Sequence, residues 1–468
     1  MSPNNFAIFI LFAWPIIMIV LAMVLPIRKV VLLSILGGNL FLPATGIALP
    51  GLPNYTKMVA AGMGALLPVF FFAAPKLFAW KPKLIDLCFI GFLIAPFISS
   101  MSNGLGLHDA LSSTINRLLE WGVPYWLGRA LFTDLPALRD VCVAVVASAI
   151  AIAPLCIYEM VMSPRLSLEV YGFRPSSFVM TQRMGGWRPM VFMQHGLALA
   201  AWMAAAALVA WILWRSKAIR VIWGMPISWI AIGLFIVTIG LRSTGAALLM
   251  LGLIATAECI QITRLRPILL ALTLMPMAYI GLRSTGWDGN QLVQLAEPLG
   301  PDRTSSLAMR LENDQLIADK VFNARPAFGW GGWGRWRVQD DLGRDITVSD
   351  SWWAILFGTT GFFGLICTYA TFIAPLFPLT LHKSRKRILL GPLGAAWALG
   401  LGILLFVTDS LVNAMPNSSF MIMTATLVSV YPLVSPKAIA QMMMNHQRMN
   451  NANTEAHPPP EQGSLKAT

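Results

Sequence analysis

Groups able to do chemistry are sparse in this 468-residue chain, so those placed at the edges of apolar runs stand out. Asp350 lies in Ser349-Asp350-Ser351-Trp352-Trp353, immediately ahead of a long apolar stretch. Partial desolvation at such a boundary makes a carboxylate a usable base, while Asp or Ser ahead of an apolar helix is equally a common cap. Local sequence favours the cap, and one residue can serve in both roles. Arg310 lies in the helix-like run Met309-Arg310-Leu311-Glu312-Asn313-Asp314-Gln315-Leu316-Ile317-Ala318, and Arg242 in Leu241-Arg242-Ser243-Thr244-Gly245. Guanidinium groups grip phosphate oxygens through two parallel N–H bonds. The plain alternatives are a solvated surface helix around Arg310 and an end-of-helix arginine reaching the membrane surface at Arg242. The hexad around Arg242 recurs at 281–286 around Arg283 without surrounding similarity, and reads as coincidence.

A second basic group comprises Arg174, Arg183, Arg188 and His195, with Trp187 among them, a combination suited to a phosphate-and-sugar ligand. A lone histidine such as His195 is more often packed than active. The segment Pro326-Ala327-Phe328-Gly329-Trp330-Gly331 stops the helix-like run after Arg310, and its glycines permit close backbone approach to a ligand or to the membrane surface. Five cysteines, Cys88, Cys142, Cys156, Cys259 and Cys367, lie in or beside apolar segments without metal-ligand spacing, as packing residues do.

The elements that must position these residues are membrane helices. With 57% hydrophobic residues, 12% charged residues and a mean hydropathy of +0.68, the chain has too little polar surface to cover a soluble globule. Apolar runs of about 20 residues match a hydrocarbon core of about 30 Å, whereas barrel strands would alternate in polarity over about ten residues. The net charge of +13 comes from short clusters between apolar runs, which excludes a nucleic-acid-binding surface and suits membrane orientation. The first apolar run begins near Phe6 with no basic leader and no small-residue cleavage site, and reads as a retained span.

Candidate spans are 6–26, 30–50, 58–75, 84–101, 112–132, 138–160, 190–213, 221–241, 243–263, 267–283, 352–378, 389–408 and 418–434. Arg117, Glu120 and Arg129 make 112–132 the weakest, with a partly buried or interfacial helix as its alternative. If the basic clusters Arg28-Lys29, Lys76/Lys81/Lys83, Arg215-Lys217-Arg220, Arg264-Arg266 and His382–Arg387 all face the cytoplasm, the alternation closes and puts 51–57, 102–111, 161–189 and 284–351 outside. Residues 1–434 then form the transmembrane domain, and 435–468 a cytoplasmic tail of disordered composition. The segment 284–351 is far longer than a usual helix connection and concentrates ten of the 21 acidic residues, which marks it as functional.

Together these features resemble the bacterial O-antigen ligase and O-antigen polymerase superfamily of membrane glycosyltransferases. In that family a large periplasmic loop between two late spans carries an arginine, a Pro-x-x-Gly-x-Gly segment, and a His-Asn pair entering a helix followed by two glycines. Here Arg310, Pro326 to Gly331 and Gly361-Phe362-Phe363-Gly364 stand in that order, with Asp350-Ser351 in the place of the His-Asn pair. Arg242 matches an earlier arginine at the outer end of a span, and Arg188 to Gly196 a segment entering a middle span. The likeness covers roughly residues 180–365, and its departure, Asp350 for histidine, would make any transferred base a carboxylate.

The resemblance implies an all-α polytopic bundle of about twelve or thirteen spans in the bacterial inner membrane, with its site facing the periplasm. It implies glycan transfer from a polyprenyl-diphosphate carrier to an acceptor hydroxyl in O-antigen or exopolysaccharide assembly. Arg242 and Arg310 would stabilise the diphosphate leaving group, and Asp350 would take the acceptor proton. Arg188, Trp330, Trp333, Trp352 and Trp353 would bind substrate, although tryptophans at interfaces also anchor helices. Lacking Asp-x-Asp, paired histidines and a P-loop, the chain fits a lipid-linked donor better than a nucleotide sugar, with no metal or cofactor. Expected partners are the lipid-linked donor, a glycan or lipid-linked acceptor, membrane lipids and other polysaccharide assembly proteins. The rival readings are a transporter or flippase of lipid-linked oligosaccharide and a scaffold of an export complex.

Overall fold

The computed structural model describes residues 2–78, 80–260, 266–380 and 391–434. The expected tail 435–468 and the basic run His382–Arg387 lie outside the described residues. Seven helices are long and apolar enough to cross a membrane: Asn5–Ala22, Lys57–Leu77, Leu135–Met162, Gly196–Arg215, Pro267–Ser284, Trp352–Thr380 and Gly391–Asp409. Four shorter apolar helices, Asp86–Ser102, Ile227–Gly240, Thr244–Cys259 and Ser419–Val434, pack among them. The chain is a helical membrane protein. Its strands are three two-residue antiparallel pairs at turns, Gly46–Ile47 with Tyr55–Thr56, Gln182–Arg183 with Gly186–Trp187, and Val221–Ile222 with Met225–Pro226.

The helix Gly196–Arg215 is the hub, 89% buried, and Gly391–Asp409 lies beside it at 83%, whereas Asn5–Ala22 at 22% faces outward. Lipid tails compete equally for apolar side chains, so close backbone approach decides which helices sit centrally. The alanine-rich run from Ala198 to Ala210 supplies that approach, and Gly402 meets Val209 and Ala205 across the contact. Residues 107–131 form one helical run that includes a π turn at Leu118–Gly122. Its charges turn inward: buried Arg129 pairs with buried Asp86 at 3.0 Å and donates to Ser429, while Tyr125 donates to the same carboxylate at 2.6 Å.

Contacts divide the bundle into two ends. At one, Arg28 pairs with Asp134, Arg215 pairs with Glu258, and the Gly391 amide donates to the Ser216 carbonyl. At the other, Tyr171 reaches Phe41, Asn103 reaches Gly329, Trp333 reaches Asp109, and Arg310 reaches Asn413. Between Ser284 and Trp352 the chain builds two further helices, Asn290–Ala296 and Pro301–Ala324, before an irregular stretch re-enters the bundle.

Candidate functional site

Pro301 begins the helix Pro301–Ala324, where its missing N–H costs nothing, and the helix carries Arg303, Arg310 and Asp314 along its length. Arg310 donates from Nη1 to the Val412 carbonyl at 3.1 Å and to Asn413 Oδ1 at 2.9 Å, while its Nε lies 3.3 Å from Asp350 Oδ2. Asn413 in turn donates to Asp409 at 2.7 Å. Asp350 does not cap the following helix. The cap position is Ser351, whose hydroxyl donates to Asp314, and the Asp350 carboxylate is left beside Arg310, partly open to solvent.

Asp314, one turn beyond Arg310, is buried, and burial pushes its carboxyl up to about 7. Ser351 and Arg283 oppose that rise, while the Asp350 charge adds to it. Arg283 is fully buried and donates to the backbone carbonyls of Trp287 and Leu311, which fastens the start of this region to the helix bearing Arg310.

A second group of arginines comes from the hairpin Gln182–Arg183/Gly186–Trp187 and the segment just after it. Glu159, buried in the helix Leu135–Met162, accepts from the backbone amides of Leu166, Met190 and Val191 at 2.7–2.9 Å, and so fixes the chain just past Arg188. The Arg188 stem lies over Gly196, where an added Cβ would come within 2.6 Å of its Cδ. Arg188 donates to the Arg242 carbonyl at 3.2 Å. Burial, then the charges of Arg183, Arg303 and Arg310, lower its guanidinium pKa to about 10. Arginines from the hairpin and from the helix Pro301–Ala324 thus act together on Arg188.

His195 joins this group rather than merely filling core. Burial, then the charges of Arg188, Arg310 and Arg183, hold its pKa down at about 4, so it is neutral at ordinary pH. Its Nδ1 accepts the Leu197 amide at 3.0 Å as the cap of Gly196–Arg215, which leaves the neutral ring's proton on Nε2. His195 is accordingly a neutral ring whose Nε2–H can donate.

Arg242 occupies the tight turn between Ile227–Gly240 and Thr244–Ile260 at φ +56°, a conformation that favours glycine. Its guanidinium donates to the carbonyls of Arg183 and Met184 and lies flat on Gly186, where a Cβ would collide at 2.4 Å. Through those carbonyls and its own, Arg242 holds the hairpin that carries Arg183 and Arg188.

The glycines of Pro326 to Gly331 approach the chain itself. The helix Trp352–Ile373 breaks at Gly361, φ +61°, and the freed groups pair with this segment: Trp330 and Gly331 amides donate to the Gly358 and Thr359 carbonyls, and Phe362 and Phe363 amides donate to Pro326 and Ala327. A Cβ on Gly361 would stand 2.5 Å from Ala327, and one on Gly329 would stand 2.6 Å from the Gly361 nitrogen. Irregular backbone at such depth needs every polar group satisfied, and this pairing does so.

The tryptophans separate into two kinds. Trp352 stacks on Trp121 at 5.4 Å and packs among Tyr369, Phe372 and Phe406, and Trp353 is fully buried beside Tyr279, so their faces are taken up by packing. Trp333 is 84% exposed, and Trp330 lies between Lys320 and Arg325. Of the residues singled out from sequence, the structure brings Arg310, Asp350 and Arg188 into one neighbourhood, with Arg242 behind Arg188. Arg303, Asp409 and Asn413 were not anticipated. The polar run Asp409-Ser410, Asn413 and Asn417-Ser418-Ser419 between two apolar helices was the available signal. Among the described residues no group of three or more His, Cys, Asp or Glu side chains is placed to hold a metal ion. Comparison with known protein families and with curated proteins gives no match.

Proposed function

We propose that this chain is a membrane glycosyltransferase that moves a glycan from a polyprenyl-diphosphate carrier to an acceptor hydroxyl in surface-polysaccharide assembly. The observation that carries this reading is that Arg188 feels the charges of Arg183, Arg303 and Arg310, and that Arg310 faces the partly open carboxylate of Asp350. Clustered guanidinium groups repel one another unless an anion lies among them, and a diphosphate satisfies several at once. Transfer would begin when the diphosphate draws Arg310 and frees Asp350. The acceptor oxygen attacks the anomeric carbon, its proton passes to Asp350, and the bond from that carbon to the diphosphate oxygen breaks, leaving the electron pair on the carrier. His195 Nε2–H would add a neutral donor to the developing charge. Arg242 acts through the hairpin it holds.

The finer topology belongs to the same reading. Every one of the thirteen expected segments contains a helix, and Arg28 and Arg215, from two of the basic clusters, are ion-paired at one end of the bundle. Positive charge inside would put that end in the cytoplasm, and Asp350 with the large 284–351 segment on the periplasmic face of a bacterial inner membrane.

The test is transfer by purified protein from a polyprenyl-diphosphate oligosaccharide with EDTA present. Asp350→Asn should lower the rate about 10²–10⁴-fold, as loss of a general base does. Arg310→Ala should lower it about 10²–10³-fold, as loss of one charge-stabilising donor does. Product length then separates a polymerase from a single-step ligase. If folded wild type transfers nothing yet moves lipid-linked glycan across liposome membranes, the enzyme reading fails and a flippase takes its place.

A further inference from the structure

Behind the arginine cluster lies a second chamber of opposite character. The segments 193–195 and 413–417 link the two: Asn413 accepts from Arg310 and the Arg310 charge reaches His195, while Gln194 and Asn417 line a cavity of about 250 Å³. Gly46 and Thr56, from the strand pair Gly46–Ile47/Tyr55–Thr56, also line it, and Asn39, Lys57 and Glu120 complete its polar lining.

These groups are held ready by one half and left available by the other. Asn417 is buried and accepts the Ser419 amide through Oδ1 at 2.9 Å, while its Nδ2 has no partner among the described residues. Gln194 donates from Nε2 to the Pro416 carbonyl at 3.5 Å, and its Oε1 likewise has none. Lys57, also buried, donates to the Asn39 carbonyl at 3.0 Å and more weakly to Met193 Sδ at 4.0 Å. Glu120 accepts from Thr56 at 2.8 Å. Buried polar atoms are rarely left unmatched without a reason.

We propose that this cavity binds a single uncharged sugar ring, as the acceptor end of the glycan. Lys57 is tied to the Asn39 carbonyl and Glu120 to Thr56 with the Arg117 charge beside it, so the atoms left without partners are amides, which offer donors and acceptors together, as vicinal hydroxyls require. A lipid chain would leave those polar groups desolvated and unmatched. The volume is many times the ~10–15 Å³ that one water needs, enough for one ring and not for an oligosaccharide. The word acceptor rests on the glycan-transfer reading; the binding of a sugar ring does not.

The experiment is saturation-transfer NMR on the full-length protein, in a detergent without a sugar head group. The probes are the methyl pyranosides of glucose, galactose and N-acetylglucosamine at millimolar concentration. Wild type and Arg310→Ala should bind at least one of them. Asn417→Asp keeps the acceptor for Ser419 and loses the free donor, and Lys57→Met removes the ammonium; each should weaken binding about tenfold. In the transfer assay Asn417→Asp should raise the acceptor KM with little change in kcat. No binding of any probe by folded wild type, or binding lost in Arg310→Ala and kept in Asn417→Asp, overturns the proposal. Sugar binding without transfer would sink the enzyme reading alone, and transfer without sugar binding the cavity alone.

Discussion

Two sets of arginines, one at each end of the bundle, are partnered in opposite ways. At the end that gathers Arg28, Arg129 and Arg215, each guanidinium meets a carboxylate at 2.6–3.0 Å, in Asp134, Asp86 and Glu258. At the other end Arg183 and Arg188 make no ion pair among the described residues, and Arg310 has only Asp350 at 3.3 Å. Cations satisfied by their own chain have little left for a ligand. Cations held in place by backbone carbonyls, by glycine contacts and by a buried Glu159 keep their charge available. Equal numbers of arginines would be indistinguishable by composition; what differs is the partner.

That contrast breaks most sharply if matched substitutions fail to behave differently. Arg129→Ala strands the buried Asp86 carboxylate, and breaking one side of a buried pair costs about 3–5 kcal/mol. The expected outcome is a large fall in folded yield and melting temperature, with transfer per folded molecule within about twofold of wild type. Arg310→Ala should do the reverse, keeping the melting temperature and losing transfer. Equal losses of both properties in both variants would erase the distinction between the two ends.

Helix placement was legible because a membrane helix needs only a long apolar run, and that is a local property. Partners far apart in sequence were not legible. The Pro326 to Gly331 glycines signal close approach, yet nothing local says that the approach is to Gly361 rather than to a ligand. Asp350 has the sequence context of a cap, and only the fold shows that Ser351 takes that position while the carboxylate turns to Arg310. Trp352 and Trp353 look like interfacial platforms beside the site, and are instead closed into an aromatic core. His195 looked like packing because its neighbours Arg188 and Arg310 arrive from different elements.

Asp314 sharpens the comparison by pH. Its carboxyl, at about 7 in the folded protein, ionises near 3.9 in an unfolded chain. The folded state therefore holds the extra proton between those values, and stability from this group is full below about pH 4 and is lost as pH rises toward about 7. The melting temperature of wild type minus that of Asp314→Asn should fall across that window. Taking the difference removes the opposite slope from Asp134, which Arg28 holds below the usual carboxylate range. A difference that is flat or rises with pH would mean that Asp314 is not kept neutral by its burial against Ser351.

The smallest expected effect tests the paired end where it meets solvent. Asp134 binds Arg28 at 2.6 Å and also caps Leu135–Met162 by accepting the Ala137 amide at 2.7 Å, so replacing it with alanine would remove two interactions together. Asparagine caps a helix as well as aspartate does, which makes Asp134→Asn a deletion of the charge alone. Both partners are about a third to a half exposed, where solvent screens the attraction, and such pairs contribute about 0.2–1 kcal/mol. Asp134→Asn should therefore shift the melting temperature by about a degree or two at low salt, converging on wild type at about 1 M salt. Asp134→Ala should add a further loss of about 1 kcal/mol that salt does not reduce. A large, salt-independent effect of Asp134→Asn would show that this pair is as structural as Arg129 with Asp86, and that depth in the bundle does not set what an ion pair contributes.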